Sequence, residues 1–232
     1  MNRRDFLKWS ASGISLTLPA SAWGICPQPT NKSGITIAGV GGCGVRTLAR
    51  FVREFVHTAS AYDTTFRCIA VDTDHRSLKR DTEDLKDYSI PVSTVWIEAD
   101  TPSCADPERG RQIAEAHSER LTGVLDLENT SLLVMMLGLG RGCGTGFAQT
   151  IAHMARKERV SSVVLPILPF SFCFSFCDIE SELAKLRAVA DNVEVFRHRE
   201  HPDQPLQSLM VECERSVLQH AIQLTGFSVS PA

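Results

Sequence analysis

Short apolar runs alternate with amphipathic stretches along this chain. Residues 34–40 form a β-branched run, after which Val45, Leu48, Ala49, Val52 and Val56 recur at helical spacing. Residues 66–71 read as a second strand, followed by a short helical segment at 75–79. Residues 90–97 read as a third, and Pro91 puts it at a sheet edge, because proline cannot donate to a ladder. Asp106 and Pro107 open a helix whose incomplete apolar face runs through Ile113, Ala116, His117, Leu121 and Val124. Residues 131–137 predict the central strand. Phe147, Ile151, Met154 and Ala155 give the next helix, 147–158, its buried stripe. A strand at 160–168 follows, closed by Pro166 and Pro169. A helix near 179–190, a strand at 192–196 and a long helix carrying Leu206, Leu209, Cys213, Val217, Ala221 and Leu224 complete the series. Strands alternating with helices predict an α/β fold, a mostly parallel sheet with helices on both faces.

One stretch breaks the pattern. Phe170, Phe172, Phe174 and Phe176 alternate with small residues, so in a strand all four rings would share a face. Core or hairpin packing explains this plainly. An exposed aromatic contact for a partner or a membrane is the sharper alternative.

Two strands end in glycine. Residues 34–40 run into Gly39-Val40-Gly41-Gly42-Cys43-Gly44, and 131–137 run into Gly138-Leu139-Gly140-Arg141-Gly142-Cys143-Gly144-Thr145-Gly146. A buried strand, a glycine turn and a helix start make a phosphate-binding arrangement. Glycine lets backbone approach an anion, and the helix start offers free N–H groups and a positive dipole end. Either loop alone would also fit a plain turn; the pair defines a Rossmann-like nucleotide-binding sheet. Asp72 and Asp74 close the 66–71 strand, where carboxylates meet a ribose or a hydrated metal, or else cap the next helix.

Composition narrows the choices. The net charge of −3 provides no basic face for nucleic acid. The chain's 232 residues suffice for one domain with a full core. Eight cysteines occur without a CxxC pair, which argues against a zinc site, and the seven histidines are dispersed. His198 and His201 read as solvated polar residues. No metal-ligating or catalytic set emerges from spacing alone. Beyond the first 25 residues no apolar run reaches the length of a membrane span. Residues 1–22 contain Asn2-Arg3-Arg4-Asp5-Phe6-Leu7-Lys8, a weakly apolar middle, and Ala20-Ser21-Ala22. They resemble a twin-arginine export signal or an uncleaved anchor. Residues 23–33 read as a linker and 34–228 as the domain.

Taken together, the loops resemble those of the tubulin/FtsZ superfamily of GTPases. Gly39-Val40-Gly41-Gly42-Cys43-Gly44-Val45-Arg46 is similar to the bacterial GVGGGGGN, and Gly41-Gly42-Cys43-Gly44 also to tubulin's GQCGNQ. The stretch from Gly140 to Gly146 is similar to the signature GGGTGTG. Ala70-Val71-Asp72-Thr73-Asp74 resembles AVNTD, Ala105-Asp106-Pro107-Glu108-Arg109-Gly110-Arg111 resembles ANPEVGR, and Pro169-Phe170 stands at KPF. The resemblance implies the GTPase domain of that superfamily. It also implies a GTP or GDP site, with Mg2+ as a possible companion, lined by Gly41, Gly42, Cys43, Gly44, Arg46, Asp72, Asp74, Gly140, Arg141, Gly142, Cys143, Gly144, Thr145 and Gly146.

The departures carry their own expectations. Arg46 stands for an asparagine, Cys143 for the signature threonine, and Ser216 about where a guanine-selecting aspartate belongs. Residues 101–104 lack the glycines that reach a γ-phosphate, and 225–232 contain no carboxylate. Hydrolysis by this chain alone is therefore expected to be slow or absent, with a full-length FtsZ-like protein or self-assembly supplying the missing groups. One of Arg46 and Arg141 is expected to contact phosphate. Converging loops would also bring Cys43 and Cys143 near each other, as buried residues or as a pair linked on oxidation. Nucleotide binding favours the cytoplasmic side of a membrane, with export to the periplasm as the alternative. A Rossmann-type adenylating or dinucleotide-binding enzyme and a pseudoenzyme serving as a protein-binding module are the competing readings.

Overall fold

The computed structural model describes residues 32–55, 66–88, 90, 92–98, 106–173 and 177–225. The signal-like 1–22, most of the linker, 101–104, Phe174, Phe176 and 226–232 lie outside them. The sheet is built from β1 (Gly34–Val40), β2 (Phe66–Asp72), β3 (Val92–Trp96), β4 (Thr130–Gly138), β5 (Ser161–Ile167) and β6 (Asn192–Val193). Their order is β3-β2-β1-β4-β5-β6, and every pairing is parallel. The chain winds outward from β1 in one direction and from β4 in the other. The reversal leaves a crevice between β1 and β4 at their carboxyl ends, where ligands of such sheets bind.

Helices α1 (Gly41–Phe55), α2 (His75–Thr82), α3 (Pro107–Ala116), α4 (Ser118–Leu125), α5 (Gly142–Lys157), α6 (Ile179–Val189) and α7 (Leu206–Thr225) cover both faces. Alternate residues of each strand feed two cores. Val134, Met136 and Leu165 pack with Leu48, Val52 and Val217 of α1 and α7. Ala38, Met135 and Val164 pack with Leu121, Phe147, Ile151 and Leu183 of α4, α5 and α6. Asp106 and Asp178 cap α3 and α6 through the amides two and three residues on.

Several expectations need correction. The helix predicted from Asp106 is two, broken at His117, whose backbone φ of −112° leaves the helical region. Pro166 does not close its strand; it lies inside β5 opposite Leu137. The last strand is two residues long, with a single further bridge from Phe196 to Ile167. The phenylalanine stretch is not a strand where it is described. Cys173 N–H bonds Phe170 O at 2.9 Å, and this turn leaves Phe170 buried and Phe172 62% exposed. Helices α1 and α5 begin inside the glycine loops rather than after them.

Close packing of α3 on α5 fixes the second loop. A Cβ on Gly146 would stand 2.3 Å from Arg111 N and Pro107 O, and one on Gly110 would stand 2.2 Å from Gly142 O. Gly146→Ala should lower stability by about 2 kcal/mol in denaturant titration, because the clash is with backbone. Gly123→Ala, at an exposed position of α4 with nothing within 4 Å of the new atom, should raise it by about 0.5–1 kcal/mol.

Candidate functional site

The two glycine loops meet. Gly41 follows Val40 directly, and its φ of +69° turns the chain from strand into helix with no intervening residue. A Cβ there would fall 2.7 Å from Gly144 N, and a Cβ on Gly144 would fall 2.6 Å from Gly138 O. Gly44 is pressed on β4, where a Cβ would reach within 2.0 Å of Met136 O. Gly140, at φ +91°, makes the second turn, and its N–H is held by Thr145 Oγ1 at 2.9 Å. Two helix N-termini, α1 and α5, thus open side by side over the β1–β4 crevice. Their first amides have no partner within the helix, so the arrangement is a backbone cradle for an anion.

Most of the sequence-predicted residues lie at the two glycine turns. Gly41, Gly42, Cys43, Gly140, Arg141, Gly142, Cys143 and Gly144 border the cradle. Gly44, Thr145 and Gly146 hold it in shape: Gly44 against β4, Gly146 against α3, and Thr145 by clipping the Gly140 turn. Asp72 faces it from β2, with Oδ2 3.7 Å from where a Gly42 Cβ would be. Asp74 serves as the cap of α2, its Oδ1 accepting from Arg76 N at 3.0 Å and Ser77 N at 3.2 Å. Asp74 is therefore a helix cap, and Asp72 is the carboxylate beside the first glycine turn.

Asp72 is 4% exposed. Its Oδ1 accepts from Thr73 N at 2.7 Å and Asp74 N at 3.3 Å, and the Cys143 thiol also bonds to it. Burial nevertheless raises its pKa above the ordinary 3.8, against the lowering effect of those amides. The Cys143 thiol is pushed well up, by burial first and the Asp72 carboxylate second. Burial raises Cys43 to about 11 although Arg46 opposes it. Both are free thiols, and they pack on opposite faces of the sheet: Cys143 with the α5 core, Cys43 with the α1–α7 core. A link between them is not present.

Arg46 is shared between the cradle and α7: its Nη2 lies 3.9 Å from Cys43 Sγ. Its Nε donates to Glu214 Oε1 of α7 at 2.7 Å, while Arg50 Nε donates to Glu214 Oε2 at 2.9 Å. The Glu214 side chain is 3% exposed, so each of its oxygens is taken by one guanidinium. Sequence reading missed Glu214. The signal was a glutamate beside Cys213 and one turn before Val217 and Leu218, on the buried face of a helix. Ser216 is exposed and donates to Glu212 O at 3.1 Å. Arg141 is exposed, and among the described residues its side chain has no partner. His201 is solvated as expected, but His198 stacks on Phe170 with ring centroids 3.8 Å apart. Among the described residues no group of three or more His, Cys, Asp or Glu could hold a metal ion.

A doubly wound parallel sheet with paired glycine turns at its switch point is the architecture of a nucleotide-binding α/β domain. Residues 34–197 match the model of the tubulin/FtsZ family, GTPase domain, and the chain belongs to that family. The cell division protein FtsZ 1 of Pyrococcus horikoshii is 31% identical over 140 residues, 60% of this chain and 34% of that protein. FtsZ 1 of Methanocaldococcus jannaschii is 27% identical over 139 residues, 60% and 35% of the two chains. Among solved structures, CetZ from Methanosaeta thermophila superposes with a TM-score of 0.69 at 18% identity, over 84% of this chain and 54% of that one. The GTPγS-bound protofilament of CetZ2 from Haloferax volcanii gives 0.65 at 21%, over 85% and 60%. The chain spans about a third of the length of the FtsZ relatives it matches.

Two measurements check this geometry. Because the pKa of Asp72 is raised on folding, its burial carries no penalty below the unfolded value near 3.8. The penalty grows as pH rises through the folded value. Asp72→Asn should therefore stabilise the protein at pH 7, with the gain fading toward pH 4 in a thermal-melt series. At pH 8 a thiol with a pKa of about 11 is ionised in roughly one molecule per thousand. Ellman's reagent should thus label exposed Cys173 before Cys43 or Cys143 in the native protein.

Proposed function

We propose that this chain binds a guanine nucleotide, with the polyphosphate on the amides of the two glycine turns. In this reading it hydrolyses GTP slowly or not at all alone. It acts as a regulator or co-assembly partner, with a full-length FtsZ-like protein or with itself, in a division or membrane-linked process. The observation that carries the reading is the abutment of Gly41 on Gly144, which turns two separate loops into one cradle. Family membership supports the choice of guanine nucleotide, as does the GTPγS-bound state of the CetZ2 neighbour.

The same geometry supports weak hydrolysis. Asp72 is the carboxylate facing the cradle from β2, and it is already bonded by two amides and a thiol. Mg2+ that rides on nucleotide phosphates needs only one or two protein carboxylates, and in this reading Asp72 would be one. Attachment through residues 1–22 to the cytoplasmic face of a membrane remains part of the proposal. Among the described residues no helix is long and apolar enough to cross a membrane.

The protein-binding pseudoenzyme is the second reading, favoured by Ser216 bonding its own helix and Glu214 spent on two arginines. A thermal-shift panel of GTP, GDP, ATP and NAD separates them. Guanine nucleotides at a hundred times Kd should stabilise by about 2.7 kcal/mol. No shift with any ligand supports the pseudoenzyme, and a shift with NAD alone supports a dinucleotide enzyme.

A further inference from the structure

The cradle has an unbalanced charge. A polyphosphate is strongly anionic, and Asp72, buried beside Gly42, adds a fixed carboxylate. Against these stand two helix N-termini, each equivalent to about half a positive charge. Two arginines come from the loops or the turn after them. Arg46 is engaged on both sides: its Nε donates to Glu214 Oε1 across the α1–α7 contact, and its Nη2 lies 3.9 Å from Cys43 Sγ. Arg141 is not spent. It precedes the first turn of α5, with extended backbone at φ −131° and ψ 163°. Its carbonyl accepts from Thr145 N at 3.2 Å, so the residue's backbone is anchored while its guanidinium stays exposed.

The geometry points to Arg141 as the cation that closes over the outermost phosphate of the bound ligand, favouring a triphosphate over a diphosphate. This rests on the nucleotide-binding reading but names a contact that the amide cradle alone does not make. Amides and helix dipoles act on whichever phosphate lies nearest the turns. An arginine at the rim adds a full charge and a two-pronged donor that a more distal phosphoryl oxygen pair can meet. Loss of such a contact is felt most by the ligand with the extra phosphate.

The test measures affinities of GTP, GDP and inorganic tripolyphosphate by calorimetry for the wild type, Arg141→Ala, Arg141→Lys and Lys157→Ala. The last removes an exposed cation from the far end of the same helix. Arg141→Ala should weaken GTP and tripolyphosphate about tenfold or more and GDP several-fold less. Arg141→Lys should recover part of the loss, and Lys157→Ala should change nothing. Equal binding by Arg141→Ala and wild type, or equal loss for GTP and GDP, overturns the assignment while leaving nucleotide binding intact. Tripolyphosphate binding that depends on Arg141 without any nucleotide binding upholds the assignment and removes the guanine reading. Binding of none of the three ligands by the wild type overturns both.

Discussion

Everything at the upper edge of this domain depends on two stretches of backbone lying closer than side chains would permit. Gly41 and Gly144 are placed so that a single methyl on Gly41 would meet the amide nitrogen of the other loop at 2.7 Å. Gly44 lies on the carbonyl of Met136 under the same constraint. The parallel sheet brings this about, because β1 and β4 are hydrogen-bonded neighbours and both run into their loops at the same end. Two helices must therefore start within a few ångströms of each other. Their unpaired amides and aligned dipoles concentrate positive potential at one point.

The charges around that point have been redistributed relative to what a glycine loop with added arginines suggests. Glu214, buried on α7, takes one guanidinium on each oxygen and so ties α1 to the last helix. Such a group resists removal, since a lone arginine pair facing a low-dielectric contact would repel. The arrangement holds the Arg46 guanidinium between Glu214 and Cys43, with Nη2 3.9 Å from Cys43 Sγ. The Cys143 thiol reaches across to Asp72, so the second loop is joined to the end of β2 by a side chain rather than by backbone alone.

Much of this was legible beforehand because it follows from local chemistry. Apolar runs ending in glycine specify strands that turn sharply, and Asp106-Pro107 specifies a helix start, as observed. Less was legible where a distant partner decides. Pro166 sits in β5 opposite Leu137, and its carbonyl accepts from Phe196 N at 2.9 Å, so partners on both sides keep it in the sheet. The alternating phenylalanines invited a strand, but the bonds from Ser171 N and Oγ to the Glu200 carboxylate tie the first part of that stretch to the segment after β6 as a turn. The destiny of Arg46 depended on a residue 168 positions away. Which aspartate caps and which faces the site depended on where α2 begins.

The central claim is that both turns bind one ligand together. Backbone amide resonances of Gly41, Gly42, Cys43, Gly142, Cys143 and Gly144 followed by NMR during titration with GTP test it most directly. The account predicts that both sets shift in parallel along a single binding curve. Shifts confined to one turn, or centred elsewhere on the domain while these six stay still, would contradict it.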